Sequence, residues 1–205
     1  MTRIVAGRFG GRRLTVPAAG TRPTSDRARE GIFSTLDSIL GGFEGVRFLD
    51  LYAGSGAVGV EAWSRGAARV VLVESAPRAV DVARANVAAL SAAAGPAEGA
   101  GRPDAGPAGE VAVVAATVES AARGLPASGF DVVFADPPYD LPSAALASVI
   151  ETLLGRGVIV EGSIVVVERA ARDPWAWPAG VTPLRDRRYG DAVVWYGRAA
   201  RQDVG

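Results

Sequence analysis

Short apolar runs alternate with helical stretches along most of this chain. The strand-like runs are Val46 to Leu51, Val70 to Val73, Val111 to Ala115 and Val132 to Ala135, with a helix expected from about Ala57 and another from about Pro77. Runs of four to six apolar residues are too short for core helices. Their continuous hydrophobicity fits strands covered on both faces, joined by crossover helices. The pattern predicts an α/β doubly wound, mainly parallel sheet. A further helix near Ala144 to Leu154 leads to a buried strand over Ser163 to Val167. Two last runs, Val181 to Leu184 and Ala192 to Tyr196, flank Arg187-Arg188-Tyr189-Gly190-Asp191 and predict a terminal hairpin that closes the sheet edge antiparallel.

The N-terminal end reads differently. Ile4-Val5 and Leu14-Thr15-Val16 stand on either side of Gly10-Gly11, and a Gly-Gly pair suits a tight turn, so a β-hairpin is expected over residues 1–20. Arg22-Pro23-Thr24 then halts extension. Thr24 or Ser25 can cap a helix whose apolar face is Ala28, Ile32, Leu36 and Ile39. Residues 21–200 are expected to form the main domain, with 201–205 as a tail. Residues 91–110 are Ala/Gly/Pro-rich without periodicity and are expected to form a flexible insertion inside that domain.

Composition narrows the chemistry by exclusion. The 205 residues contain no Cys, no His and no Lys, so all 22 basic residues are arginine. Thiolate nucleophiles, a Ser-His-Asp triad, disulfides, an ordinary zinc site, Schiff bases and the phosphate lysine of a P-loop are all ruled out. No metal is expected. Without a long apolar span or a secretory h-region, the chain reads as cytoplasmic, with no membrane partner. Net charge is zero, but residues 1–31 carry seven arginines against Asp26 and Glu30, a distribution suited to phosphate.

Two motifs carry the functional signal. The first is Asp50-Leu51-Tyr52-Ala53-Gly54-Ser55-Gly56, a strand running into a glycine turn and then a helix. Glycines let backbone approach a ligand, and the helix start offers free N–H groups. Ala53, Gly54, Ser55 and Gly56 are therefore cofactor candidates. Glu74, at the end of Val70-Val71-Leu72-Val73, suits the two hydroxyls of a ribose, with Ser75 beside it. Gly54 to Gly59 also satisfies the dinucleotide pattern G-x-G-x-x-G. Asp50 favours S-adenosylmethionine, whose ammonium a carboxylate attracts, over a pyrophosphate, which it would repel.

The second motif is Asp136-Pro137-Pro138-Tyr139, after the apolar run Val132-Val133-Phe134-Ala135. An exocyclic amino group on a purine is a poor nucleophile because its lone pair is delocalised into the ring. The Asp136 carboxylate and the Pro137 carbonyl can accept both amino hydrogens and localise that pair. Two prolines fix φ and so hold the acceptors in place, while Tyr139 can stack on an extruded base. Direct displacement at a sulfonium needs no covalent enzyme intermediate, in keeping with the missing Cys, His and Lys. Asp136, Pro137 and Tyr139 are the catalytic candidates.

The block Arg22 to Phe33, the stretch Leu49 to Gly56, Asp136 to Tyr139 and the late Tyr189-Gly190-Asp191 together resemble the RsmD-type bacterial small-subunit ribosomal RNA (guanine-N2)-methyltransferase family. The resemblance implies a class I methyltransferase fold, Rossmann-like and seven-stranded with the last strand antiparallel. It also implies S-adenosylmethionine as cofactor, a guanine acceptor in small-subunit ribosomal RNA within a ribosomal particle, and a basic hairpin that helps hold the RNA. Arg12, Arg13, Arg22, Thr24 and Arg27 become the candidate substrate contacts, with Pro138 on the base side. Where the family often has Asp or Asn after the third strand, this chain reads Val114-Ala115-Ala116-Thr117, which leaves Thr117 or main chain for the cofactor adenine. Adenine-N6 methylation of DNA, a nicotinamide oxidoreductase and a noncatalytic RNA-binding module remain as alternatives.

Overall fold

The structure, a computed structural model, describes residues 2–17, 26–94 and 109–201. In chain order the elements are β1 (Thr2–Arg3), β2 (Arg13–Leu14), α1 (Asp26–Leu40), β3 (Arg47–Leu51), α2 (Ala57–Ser64), β4 (Arg69–Glu74), α3 (Pro77–Ala94), β5 (Glu110–Ala115), α4 (Val118–Gly124), β6 (Phe130–Ala135), α5 (Ser143–Gly155), β7 (Ile159–Ala170), β8 (Val181–Tyr189) and β9 (Ala192–Ala199). The main sheet has seven strands in the order β5-β4-β3-β6-β7-β9-β8. Strands β3 to β7 are parallel, and β9 inserts antiparallel between β7 and β8. The chain moves outward from β3 to β4 and β5, then restarts on the other side with β6. The gap between β3 and β6 is therefore the point where the winding reverses, the usual place for a ligand in such sheets.

Alternation along the strands divides the core in two. Phe48, Val70, Leu72, Val132, Phe134 and Val166 face α1, α2 and α3. Leu49, Leu51, Val71, Val73, Val133 and Val167 face α4 and α5. Each such side chain, fully buried, contributes about 1.5–3 kcal/mol. Because both faces are covered, polar residues are nearly absent from the strand interiors, and the buried Asp50 stands out against that background.

Four expectations need correction. The N-terminal hairpin exists, but β1 and β2 are two residues each, paired Thr2 to Leu14 and Arg3 to Arg13. The turn is not a tight Gly-Gly bend. Residues 4–12 form a wide loop with successive turns, Gly10 N–H to Gly7 O and Arg12 N–H to Phe9 O, because Ile4 and Phe9 are drawn into the core beneath it. The second correction concerns residues 91–110: α3 continues through Ala94 and β5 begins at Glu110, while residues 95–108 lie outside the described part. Alanine-rich sequence has no strong period, yet alanine is the best helix former, so α3 extends past its amphipathic part. Third, α4 was not anticipated, since Val118–Gly124 is too short to show a period. Last, β8 runs on to Tyr189, through arginines expected to lie in the loop, and leaves the two-residue turn Gly190-Asp191. Gly190 at φ +62 takes the left-handed first position of that turn.

Candidate functional site

Asp50 lies on β3 with its side chain under the start of α2. Its Oδ2 accepts the Gly59 N–H at 2.9 Å, satisfying one of the donors that a helix start leaves without an intrahelical partner. Burial pushes the Asp50 carboxyl up to about 8, opposed by that hydrogen bond and reinforced by the negative charges of Asp136 and Glu74. The expected carboxylate is thus a buried acid that a nearby cation would ionise.

Three glycines carry the turn, each for a different reason. At Gly54 (φ +55) a Cβ would meet nothing within 4 Å, so the backbone there faces open space. Gly56 (φ +77) is the left-handed N-cap of α2, and its own Cβ would press on Leu72. At Gly59 a Cβ would fall 2.2 Å from Leu72 and 3.0 Å from Val70, so this glycine lets α2 lie tightly on β4. Just before them Tyr52 is held at φ +61, a conformation costing about 1–2 kcal/mol outside glycine. Desolvation raises its phenol to about 12, and Tyr52 Oη is buried without a hydrogen-bond partner among the described residues.

Glu74 is already engaged. Its Oε2 accepts from Gly54 N–H at 2.8 Å, and its Oε1 accepts from Ser75 and Ala76 N–H at 2.8 Å each. Oε2 keeps one lone pair for a hydroxyl donor, so a ribose contact fits alongside the main-chain role. Thr117 caps α4 by accepting from Ser120 N–H at 3.2 Å. Thr117, Glu74, Gly54 and Asp136 thus stand in a row along the carboxyl edge, just beyond the adjacent strands β5, β4, β3 and β6.

The register brings the two motifs side by side. Leu51 pairs with Ala135, so the glycine turn and the Asp136 loop leave neighbouring strands at the same level. Asp136 is half-buried, Pro137 buried, and Pro138 exposed; Tyr139, at 61% exposed, points away from the core. The loop closes with Leu141 N–H donating to Pro138 O at 3.0 Å. Among the described residues no cluster of acidic or metal-ligating side chains could hold a metal ion.

The basic candidates sit elsewhere. Arg12 and Arg13 are exposed on the hairpin and Arg27 is exposed on α1, whereas Arg22 and Thr24 lie outside the described residues. One residue that the sequence gave no reason to select links these regions. Asn86 of α3, buried, accepts from Thr15 N–H at 2.9 Å and donates to Thr15 O at 2.9 Å and Ser55 O at 3.0 Å. It fixes the residue that follows β2 to the glycine turn. A single Asn inside an alanine-rich helix carries no sequence signal of that contact.

The chain is similar to known proteins over most of its length. The family model described as Conserved hypothetical protein 95 matches residues 2–198. Ribosomal RNA small subunit methyltransferase D of Escherichia coli strain K12 is 33% identical over 169 residues, 81% of this chain and 73% of that protein. The Haemophilus influenzae protein of the same name is 29% identical across 92% of this chain and 89% of its own length. The solved structure of yhhF from Escherichia coli superposes with a TM-score of 0.77 at 29% identity, covering 98% of this chain and 99% of that one.

Proposed function

Because the chain belongs to the ribosomal RNA small subunit methyltransferase D family, we propose that it transfers a methyl group from S-adenosylmethionine to the exocyclic N2 of a guanine in small-subunit ribosomal RNA. The observation that carries this reading is the pairing of Leu51 with Ala135, which sets the Asp136 loop beside the glycine turn where the winding reverses.

The residues fit the cofactor. Gly54 leaves room for close approach, Glu74 Oε2 can accept from a ribose, and Asp50 offers an acid that an ammonium would ionise. When bound, S-adenosylmethionine would supply an electrophilic methyl on a sulfonium. The chain's own part is positional. Asp136 Oδ and the Pro137 carbonyl accept the amino hydrogens of the target base and aim its lone pair, and Tyr139 covers the base face. Half-exposed Asp136 passes the released proton to water.

The test is nucleoside analysis of small-subunit particles lacking the modification, incubated with the protein and labelled S-adenosylmethionine. Label is expected in N2-methylguanine; label in N6-methyladenine, or none, would refute the assignment. Asp136→Ala is expected to lower kcat by about 10²- to 10³-fold, the usual loss for one aligned polar group, with cofactor affinity retained in calorimetry.

A further inference from the structure

Beside the Asp136 loop lies a cleft. β6 ends at Ala135, opposite Val167, but β7 continues to Ala170 paired only with β9. This overhang, with the β8–β9 turn at its end, forms a wall next to the Asp136 loop. Between them is a cleft of about 540 Å³ lined by Tyr139, Ala170, Ala171, Arg172, Arg188 and Asp191. That size suits one small-molecule unit. The wall is tied together, since Ala171 N–H donates to Asp191 O at 2.8 Å and Arg188 Nε donates to Gly190 O at 2.9 Å. Neither Arg172 nor Arg188 is ion-paired with a described residue.

We propose that this cleft binds the ribonucleotide adjoining the target base, with Arg172 and Arg188 on its phosphates, the face of Tyr139 turned away from the target base against its own base, and Asp191 accepting from a hydroxyl or amino group. The proposal rests on the RNA-methylation reading above and deepens it. Two arginines line one cleft, and guanidinium forks are suited to phosphate. The carboxylate of Asp191 argues against a site for a bare anion, which it would repel. A nucleotide brings both an anionic group and hydrogen-bond donors. Arginines on an edge strand also deter sheet pairing, but that role needs no convergence with Tyr139 and Arg172 across a cleft.

The experiment measures fluorescence anisotropy of the full chain with a labelled single-stranded fragment of small-subunit ribosomal RNA, over a salt series. R172A/R188A is expected to bind at least tenfold more weakly, with a salt slope reduced by about 1.4 for two lost contacts to single-stranded phosphate. R172K/R188K should keep most of the slope. Asp191→Ala should also weaken binding, because an acceptor for the nucleotide is lost. Unchanged affinity and slope in R172A/R188A would overturn the proposal, and so would tighter binding by Asp191→Ala, the mark of a nonspecific basic surface. If the unmodified protein methylates RNA while these variants bind normally, only the cleft assignment falls. If the unmodified protein neither binds the fragment nor methylates small-subunit particles, the functional reading itself falls.

Discussion

Asp50 shows how far a residue's role can be read in advance. Its position four residues before Gly54 makes it a candidate cofactor contact under the proposed function. What could not be read was its proton, because burial depends on α2 lying over it and on Asp136 arriving from β6. The consequence for stability has a definite sign. The folded carboxyl is raised from 3.8 to about 8, so its contribution is fully present below pH 4 and is lost as pH rises to about 8. Asp50→Asn removes this dependence. Its stability relative to the native protein is expected to climb across pH 4 to 8, by at most about 1.4 kcal/mol per pH unit, in urea unfolding without cofactor. A difference constant over that range would mean that Asp50 ionises in the folded chain as it does in the unfolded one. Glu74 teaches a similar lesson. The carboxylate at the end of β4 was legible, but its three main-chain partners were not, since they require the Gly54 turn to fold back beside it.

At the scale of the element, the G-x-G-x-x-G spacing was legible, yet it treats unlike glycines as equal. Gly59 is a packing residue of the α2–β4 contact, and Gly54 is a surface residue of the turn. Gly59→Ala is expected to cost stability by about 1–3 kcal/mol through overpacking against Leu72 and Val70, measured by chemical denaturation. Gly54→Ala should cost only about 1 kcal/mol for its left-handed backbone, but should weaken cofactor binding more than tenfold in calorimetry, because its methyl enters the open space. Equal stability losses in the two variants would contradict this division. The central strands were visible as short continuous apolar runs, and α1 by apolar residues at helical spacing. The hairpin turn and α4 were not, because one is shaped by the core beneath it and the other is too short to show a period.

For the whole molecule, the decisive connection joins the N-terminal hairpin to the methyltransferase-like sheet. Glu61, fully buried near the end of α2, accepts Val5 N–H at 2.7 Å, Ala6 N–H at 3.0 Å and Arg65 Nε at 2.9 Å, with Arg29 Nε 3.6 Å away. Arg29, also fully buried, donates to Arg3 O and to Asp26. Ser64 adds two more bonds, accepting from Phe9 N–H at 2.9 Å and donating to Ala6 O at 2.6 Å. The hairpin is thereby seated on the far end of the helix that begins at the glycine turn. Glu61→Ala leaves the Val5 and Ala6 amides and Arg65 Nε without their acceptor and takes one of two carboxylates away from the buried Arg29 cation. It is expected to lower stability by about 3–5 kcal/mol and to speed hydrogen exchange at Val5 and Ala6 ahead of the strand amides. Slow exchange at those amides in the variant would show that Glu61 does not hold the hairpin. The sequence alone determined the layered α/β class, both ligand-facing motifs and the absence of Cys, His and Lys chemistry, because these depend on local period, on turn chemistry and on which atoms are present. Only the tertiary structure decided that the motifs are neighbours, that Asp50 is buried and its carboxyl pushed up, that Asn86 and Glu61 bind the hairpin to the helices, and that β7 runs past the end of β6 beside a cleft. Those facts are contacts between residues far apart in the chain, and distance along the chain carries no record of them.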